Sequence, residues 1–176
     1  MPSPIALIVT PDSETPQRGT LRCGDHIFPC VLGRSGINTH KHEGDGATPV
    51  GRFPLRRVLY RADRLTPPET KLSVAAIARD DGWCDDPGNA RYNRPVTLPY
   101  ATSAEAMWRD DHLYDVVVIL GHNDDPVVPG AGSAIFLHVA SDHEPTAGCV
   151  ALRRDDLLAV LRIAGPGSVI DIREGI

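Results

Sequence analysis

Sixteen glycines and sixteen prolines divide this 176-residue chain into short pieces. Neither residue sits well inside a helix, so their density favours strands joined by structured turns. The apolar runs between the breaks have the matching character. Segments 5–10, 20–23, 26–32, 53–60, 114–120 and 134–139 are short and rich in branched or aromatic side chains. Gly24-Asp25 separates two of them and predicts a hairpin. Strands at 116–121 and 133–139 are expected to lie antiparallel, with the turn at 126–132 between them. Helical patterning is confined to two places: 103–110, with Ser103 as N-cap, and 155–163, where Leu157, Leu158 and Leu161 share a face and Asp155 and Asp156 suit the first turn. Pro166-Gly167 stops the second helix, and 169–172 reads as a closing strand. Residues 70–79 fit both periods, and 80–93 (DDGWCDDPGNARYN) reads as a loop anchored by Trp83 and Tyr92, either a packed surface loop or a wall over a cleft whose carboxylates suit an amino or ammonium group. With no repeat, no low-complexity tract and a length typical of one core, a single domain over 1–176 is expected, mainly β with short helices.

Composition narrows the function by exclusion. A formal charge of −5 and scattered arginines offer no basic stripe for nucleic acid. The glycine-rich stretch at 33–51 lacks the Gly-Lys-Ser/Thr ending of a phosphate loop. No apolar run approaches the length of a membrane span, and MPSPIALIVTPD has no basic segment followed by a long apolar core, so no signal peptide is visible. The four cysteines, Cys23, Cys30, Cys84 and Cys149, form no CxxC pair and no zinc spacing, so no metal or other cofactor is expected. Cys23 and Cys30 flank the hairpin turn, where either a disulfide or two free thiols would be consistent with the pattern.

The stretch that carries chemistry is 133–152, SAIFLHVASDHEPTAGCVAL. His138 stands at the end of an apolar run, a polar loop with Pro145 and Thr146 follows, and Cys149 comes directly behind Gly148. A thiol after glycine at a turn, a base able to reach it, and the backbone N–H groups of Gly148 and Cys149 are the components of a thiol acyl-transfer site. By spacing alone, Cys149 is equally readable as a small buried hydrophobe and His138 as a structural residue. His122, at the end of the neighbouring strand beside Asn123, competes with His138 as partner to the thiol and is otherwise readable as a structural hydrogen-bonding residue or as part of the cleft wall. A carbonyl or polar group near Asp142 or His143 is the candidate for fixing the histidine tautomer.

These residues resemble the signature of the L,D-transpeptidase catalytic domain family (YkuD-like), in which a strand-end histidine and a glycine-containing loop precede Ser/Thr-x-Gly-Cys. His138, Thr146, Gly148 and Cys149 match it, and Thr48-Pro49-Val50-Gly51-Arg52-Phe53 matches the family's upstream Thr-Pro-x-Gly-x-Phe. The chain departs from the common pattern at Val139, where glycine is usual, and at Ala151, where arginine is usual, which marks a divergent branch. The resemblance implies an L,D-transpeptidase-like β-sandwich and a Cys149 thioester enzyme with His138 as base, acting as a monomer on peptidoglycan stem peptides in the periplasm or cell envelope. It implies a role in cell-wall biogenesis and cell shape, with Trp83, Tyr92, His122, Asn123, His143 and Thr146 around the substrate.

Three rival readings follow from the same residues. Water in place of an amine gives an L,D-carboxypeptidase. His122, His138 and His143 with Asp124 or Asp142 are candidate ligands of a zinc peptidase, although no HExxH is present. A non-catalytic wall-binding domain would tolerate loss of Cys149.

Overall fold

The computed structural model describes residues 4–142 and 144–175. In chain order the strands are β1 (Ala6–Pro11), β2 (Arg18–Cys23), β3 (His26–Val31), β4 (Ile37–Asn38), β5 (Thr48–Pro49), β6 (Gly51–Tyr60), β7 (Val74–Ala76), β8 (Asp81–Cys84), β9 (Pro95–Thr97), β10 (Ala104–Ala106), β11 (Val116–Leu120), β12 (Phe136–Val139), β13 (Val150–Leu152) and, after the helix α1 (Arg154–Ile163), β14 (Val169–Ile172).

The principal sheet closes on itself. Neighbours run β11-β12-β13-β3-β2-β1-β14-β6, and β6 then pairs back onto β11, giving an eight-stranded barrel with β7 appended to β6. The expected β-sandwich is therefore replaced by a barrel. The cause is the length of β6: Gly51–Pro54 pair with β14 while Leu55–Tyr60 pair with β11, so one strand spans both edges. Closure leaves these strands no free edge. The hairpin at Gly24-Asp25 and the antiparallel β11–β12 pair form as expected.

Two expectations about the second layer fail. Segment 103–110 carries strand β10 instead of a helix, and the 80–93 loop contains β8; with β9 they form a three-stranded sheet, β10-β8-β9. Ala, Glu and Met favour a helix locally, but pairing with β8 and burial of Met107 override that weak preference. Cys23 and Cys30 are free and buried. Cys23 sits opposite His26 and Cys30 opposite Gly19, so the cysteines lie at opposite ends of the hairpin, roughly 13 Å apart along it. That exceeds disulfide reach.

Alternation on β11, β12 and β13 divides the core in two. Val116, Val118, Leu120, Leu137, Val139, Val150 and Leu152 belong to one cluster with Leu7, Leu21, Ile170 and the helix residues Leu157, Val160 and Leu161. Val117, Ile119, Phe136 and Cys149 point the other way, against Trp83, Met107 and Tyr114. Both faces of these strands are thus covered, which is why 116–120 reads as an unbroken apolar run (VVVIL). On α1, residues 157, 160 and 161 form the i, i+3, i+4 stripe that meets the first cluster, and extended Ala164 ends the helix. No helix among the described residues is long and apolar enough to cross a membrane.

The segment leading into β11 is fixed by cations from the end of β6. Buried Arg61 pairs with Asp63 at 2.8 Å, donates to the Arg109 carbonyl and stacks on Trp108 at 3.6 Å. Arg64 and His112 both meet the buried Asp115 carboxylate, at 2.6 and 2.8 Å. Replacing Leu161, fully buried where the helix meets the barrel, by alanine should cost about 2–5 kcal/mol. Urea unfolding of Leu161→Ala, read as a lowered midpoint at unchanged slope, checks this.

Candidate active site

The two clusters place the site outside the barrel wall. In the parallel β12–β13 pair, Leu137 lies opposite Val150 and His138 opposite Ala151. Leu137, Val139 and Val150 fill the interior, so Phe136, His138, Cys149 and Ala151 all emerge on the outer face. His138 is one step beyond Cys149 along that face. A cleft opens there, lined by His138, Cys149, Gly148, Thr146, Ala151 and Tyr114 together with charged residues from neighbouring loops. Val139, at the position of the family's usual glycine, points inward and takes no part in the wall, whereas Ala151 lines the cleft beside His138.

The turn ahead of β13 is held by threonines from both ends of the sequence. Thr146 Oγ1 donates to the Cys149 carbonyl at 2.6 Å and accepts the Gly148 N–H at 3.1 Å. Fully buried Thr48 accepts the Gly33 N–H at 2.9 Å and donates to the same Cys149 carbonyl at 3.4 Å. The Thr-Pro and Gly-Cys motifs, 101 residues apart, therefore meet at the backbone of the cysteine. Gly148 is required on two counts: its φ is +145°, and a Cβ there would stand 2.9 Å from the Ala47 carbonyl oxygen.

Cys149 is 7% exposed, which favours its neutral thiol. Burial, reinforced by the Glu105 carboxylate, pushes it up to about 12, against the smaller opposing pull of the Phe136 N–H, Lys41 and Arg109. The Sγ donates to the Ala134 carbonyl at 3.2 Å and accepts the Phe136 N–H at 3.3 Å. Ala134 holds φ +52°, an uncommon conformation for a residue with a Cβ, and it aims that carbonyl at the sulfur. His138 is 5% exposed, and burial lowers its pKa to about 4. Its Nδ1 donates to the Val139 carbonyl at 2.8 Å. The tautomer is therefore fixed by the adjacent backbone, not by Asp142, and Nε2 carries the lone pair. The Tyr114 ring stands edge-on to both His138 (5.3 Å) and Phe136 (5.9 Å). No hydrogen bond joins His138 to Cys149 in this resting arrangement.

The remaining sequence candidates fall around this centre. His122 donates from Nε2 to the Ala131 carbonyl at 3.1 Å and packs edge-on against Phe53, and burial lowers its pKa. Asn123, at φ +47°, bonds Val128 and Gly132. Both build the 121–132 loop and neither lines the cleft. Tyr92 donates its hydroxyl to Glu43, a cleft residue that also accepts from Ser133 at 2.7 Å. Trp83 lies under the site, its ring edge-on to Phe136 at 5.1 Å. His143 lies outside the described residues. Among the described residues, no group of three or more His, Cys, Asp or Glu side chains comes together that could hold a metal.

Asn93 joins these residues. Buried at φ +54°, its amide accepts the Trp83 indole N–H at 2.9 Å and the Ala134 N–H at 3.1 Å, and donates to the His122 and Asn123 carbonyls. It ties the outer sheet, the 121–132 loop and the residue facing the thiol into one unit. Nothing in the local sequence distinguishes it from the other loop asparagines.

The YkuD L,D-transpeptidase catalytic domain matches residues 14–172. The chain belongs to that family. Its identity to solved structures is low. A structure of Bdellovibrio bacteriovorus Bd1075 is 16% identical with a TM-score of 0.44, over 95% of this chain and 47% of that one. Mycobacterium tuberculosis L,D-transpeptidase 1 is 14% identical with a TM-score of 0.40, over 97% and 63%. The domain thus spans roughly half to two thirds of the length of these two chains. Among curated proteins none matches the sequence.

Two predictions follow from the site. Thr48→Val keeps shape but leaves the buried Gly33 N–H unpaired, and should destabilise the domain by about 1–3 kcal/mol, read by urea unfolding. For His138 the folded pKa (about 4) lies below the ordinary value of 6.5, so the unfolded chain binds the extra proton between them. Its contribution is present above 6.5, is lost as pH falls, and levels off below about 4. His138→Gln, compared with the parent at about pH 7 and about pH 4.5, should remove up to roughly 3 kcal/mol of the pH-dependent loss.

Proposed function

We propose that the domain is a peptidoglycan L,D-transpeptidase acting in the bacterial cell envelope through a Cys149 thioester. The observation that carries this reading is the outward pair on β12 and β13 in a chain of this family: a thiol on a turn that admits only glycine before it, and a neutral imidazole with Nδ1 tied to its own backbone. Such an imidazole is already in the form of a general base.

In this reading the stem peptide displaces the Sγ–H contact with Ala134, and the thiol proton passes to His138 Nε2 as sulfur attacks the carbonyl of the third stem residue. Because burial holds the free thiol near 12, thiolate forms in concert with attack and not beforehand. The backbone N–H groups of Cys149 and Gly148 receive the oxyanion, the second exchanging its contact with Thr146 Oγ1. His138 gives the proton to the departing D-alanine amine, leaving the thioester. The amine of a second stem then attacks its carbonyl, His138 takes a proton from that nitrogen, the C–S bond breaks, and His138 passes the proton to the departing sulfur. Water in the same role gives carboxypeptidase trimming, so the outcome depends on how well the cleft positions an amine.

Cys149→Ala should abolish product formation while leaving the folded state intact. Incubation of the purified protein with disaccharide tetrapeptide and tripeptide, followed by mass spectrometry, should show a dimer formed with loss of alanine. Unchanged products from Cys149→Ala would overturn the assignment. Shortened monomer alone would indicate hydrolysis, and activity lost to chelator and restored by zinc would indicate a metallopeptidase. His138→Ala should alter the pH profile of Cys149 alkylation, whereas His122→Ala should leave it in place.

A further inference from the structure

The outer sheet presents two carboxylates to the cleft that the reaction above does not use. Glu105 on β10 lies opposite Trp83 on β8, and Ala104 opposite Cys84. Continuing that register sets Asp85 opposite Ser103, with the Asp85 N–H donating to the Ser103 carbonyl at 3.3 Å. Trp83, Asp85 and Glu105 therefore share the face turned to the barrel wall, and both acids line the cleft with Cys149. Glu105 accepts the Tyr114 hydroxyl at 2.5 Å and has an Arg109 nitrogen at 3.9 Å, but that guanidinium is engaged more closely by Asp111, at 2.6 Å. The Oδ1 of Asp85 is shut off from solvent and has no hydrogen-bond partner.

A buried carboxylate oxygen without a donor is costly, and two acids facing one space repel. Burial together with the charge of Asp85 pushes the Glu105 carboxyl upward. The other charged cleft residues do not relieve this. Glu43 is committed to Tyr92 and Ser133, Lys41 to Asp45, and the Arg34 guanidinium lies against Gly46. A small cationic donor entering between Asp85 and Glu105 would satisfy the unpaired oxygen and remove the repulsion.

We infer that Asp85 and Glu105 form the subsite for the primary ammonium group of the acyl acceptor, next to the thioester on Cys149. This rests on the thioester reading above. The ammonium docks with Asp85 and gives one proton to Glu105, which freed of it becomes a carboxylate again by release to solvent. The neutral nitrogen then forms the C–N bond to the thioester carbonyl carbon and the C–S bond breaks. The second N–H proton moves through His138 to the Cys149 sulfur, so the thiol is restored and the amide is neutral.

The test separates this from the thioester assignment. The parent, Asp85→Asn and Glu105→Gln are charged with disaccharide tetrapeptide, and the acyl adduct on Cys149 is followed by intact mass. The adduct is then offered a diaminopimelate-containing tripeptide or hydroxylamine, a nucleophile that is neutral near pH 7. Each near-isosteric variant should lower transfer to the tripeptide, relative to transfer to hydroxylamine, about tenfold or more. A ratio equal to the parent's in both variants overturns the subsite. Absence of any adduct in the parent overturns the thioester reading itself. Should one variant fail to fold, the other carries the same comparison.

Discussion

Burial on both faces of β11, β12 and β13 is the constraint from which the rest of this molecule follows. A barrel alone would leave the outer face of these strands wet, as polar-out alternation on most antiparallel strands does. Here Val117, Ile119 and Phe136 are apolar on that side as well, so a second layer must cover them. Trp83, Met107 and Tyr114 provide it, brought in by the three-stranded sheet and by the segment that Arg61 and Arg64 pin to the end of β6. Over Cys149 the cover is incomplete, and the cleft opens there.

This arrangement explains the electrostatics of the site. Withdrawing a thiol and an imidazole from water disfavours the charged form of each, which pushes Cys149 up and His138 down. Burial thus favours the neutral form of both groups. The surrounding hydrogen bonds keep both groups in those forms: Val139 fixes Nδ1, and Ala134 accepts from the sulfur. Backbone strain is concentrated nearby, at Asn93, Asn123, Ala134 and Gly148, where the packed layers over-determine the conformation.

Much of the inner layer was readable along the chain. The hairpin about Gly24-Asp25, the VVVIL strand, its antiparallel partner and the terminal helix depend on periodicity and turn chemistry within a few residues, and each forms where expected. The second layer was not readable. Segment 103–110 has the composition of a helix and becomes a strand because β8 offers it a partner, while β8 itself hides in a stretch whose aspartates and glycines read as loop. A sandwich and a barrel use the same strands, and only the pairing of β6 with both β14 and β11 chooses between them.

The sequence by itself determined the chemistry available: a cysteine directly behind a glycine, a histidine at the end of an apolar run, and a Thr-Pro motif upstream. These are local facts of residue type and spacing. The tertiary structure decided their company. It brought Thr48 to the carbonyl of Cys149 across 101 residues, made Asn93 the knot between two sheets, turned His122 into its own loop, and set Asp85 and Glu105 on one face toward the thiol. Contacts of this kind depend on register between strands far apart in the chain, and register is settled by the burial of whole faces.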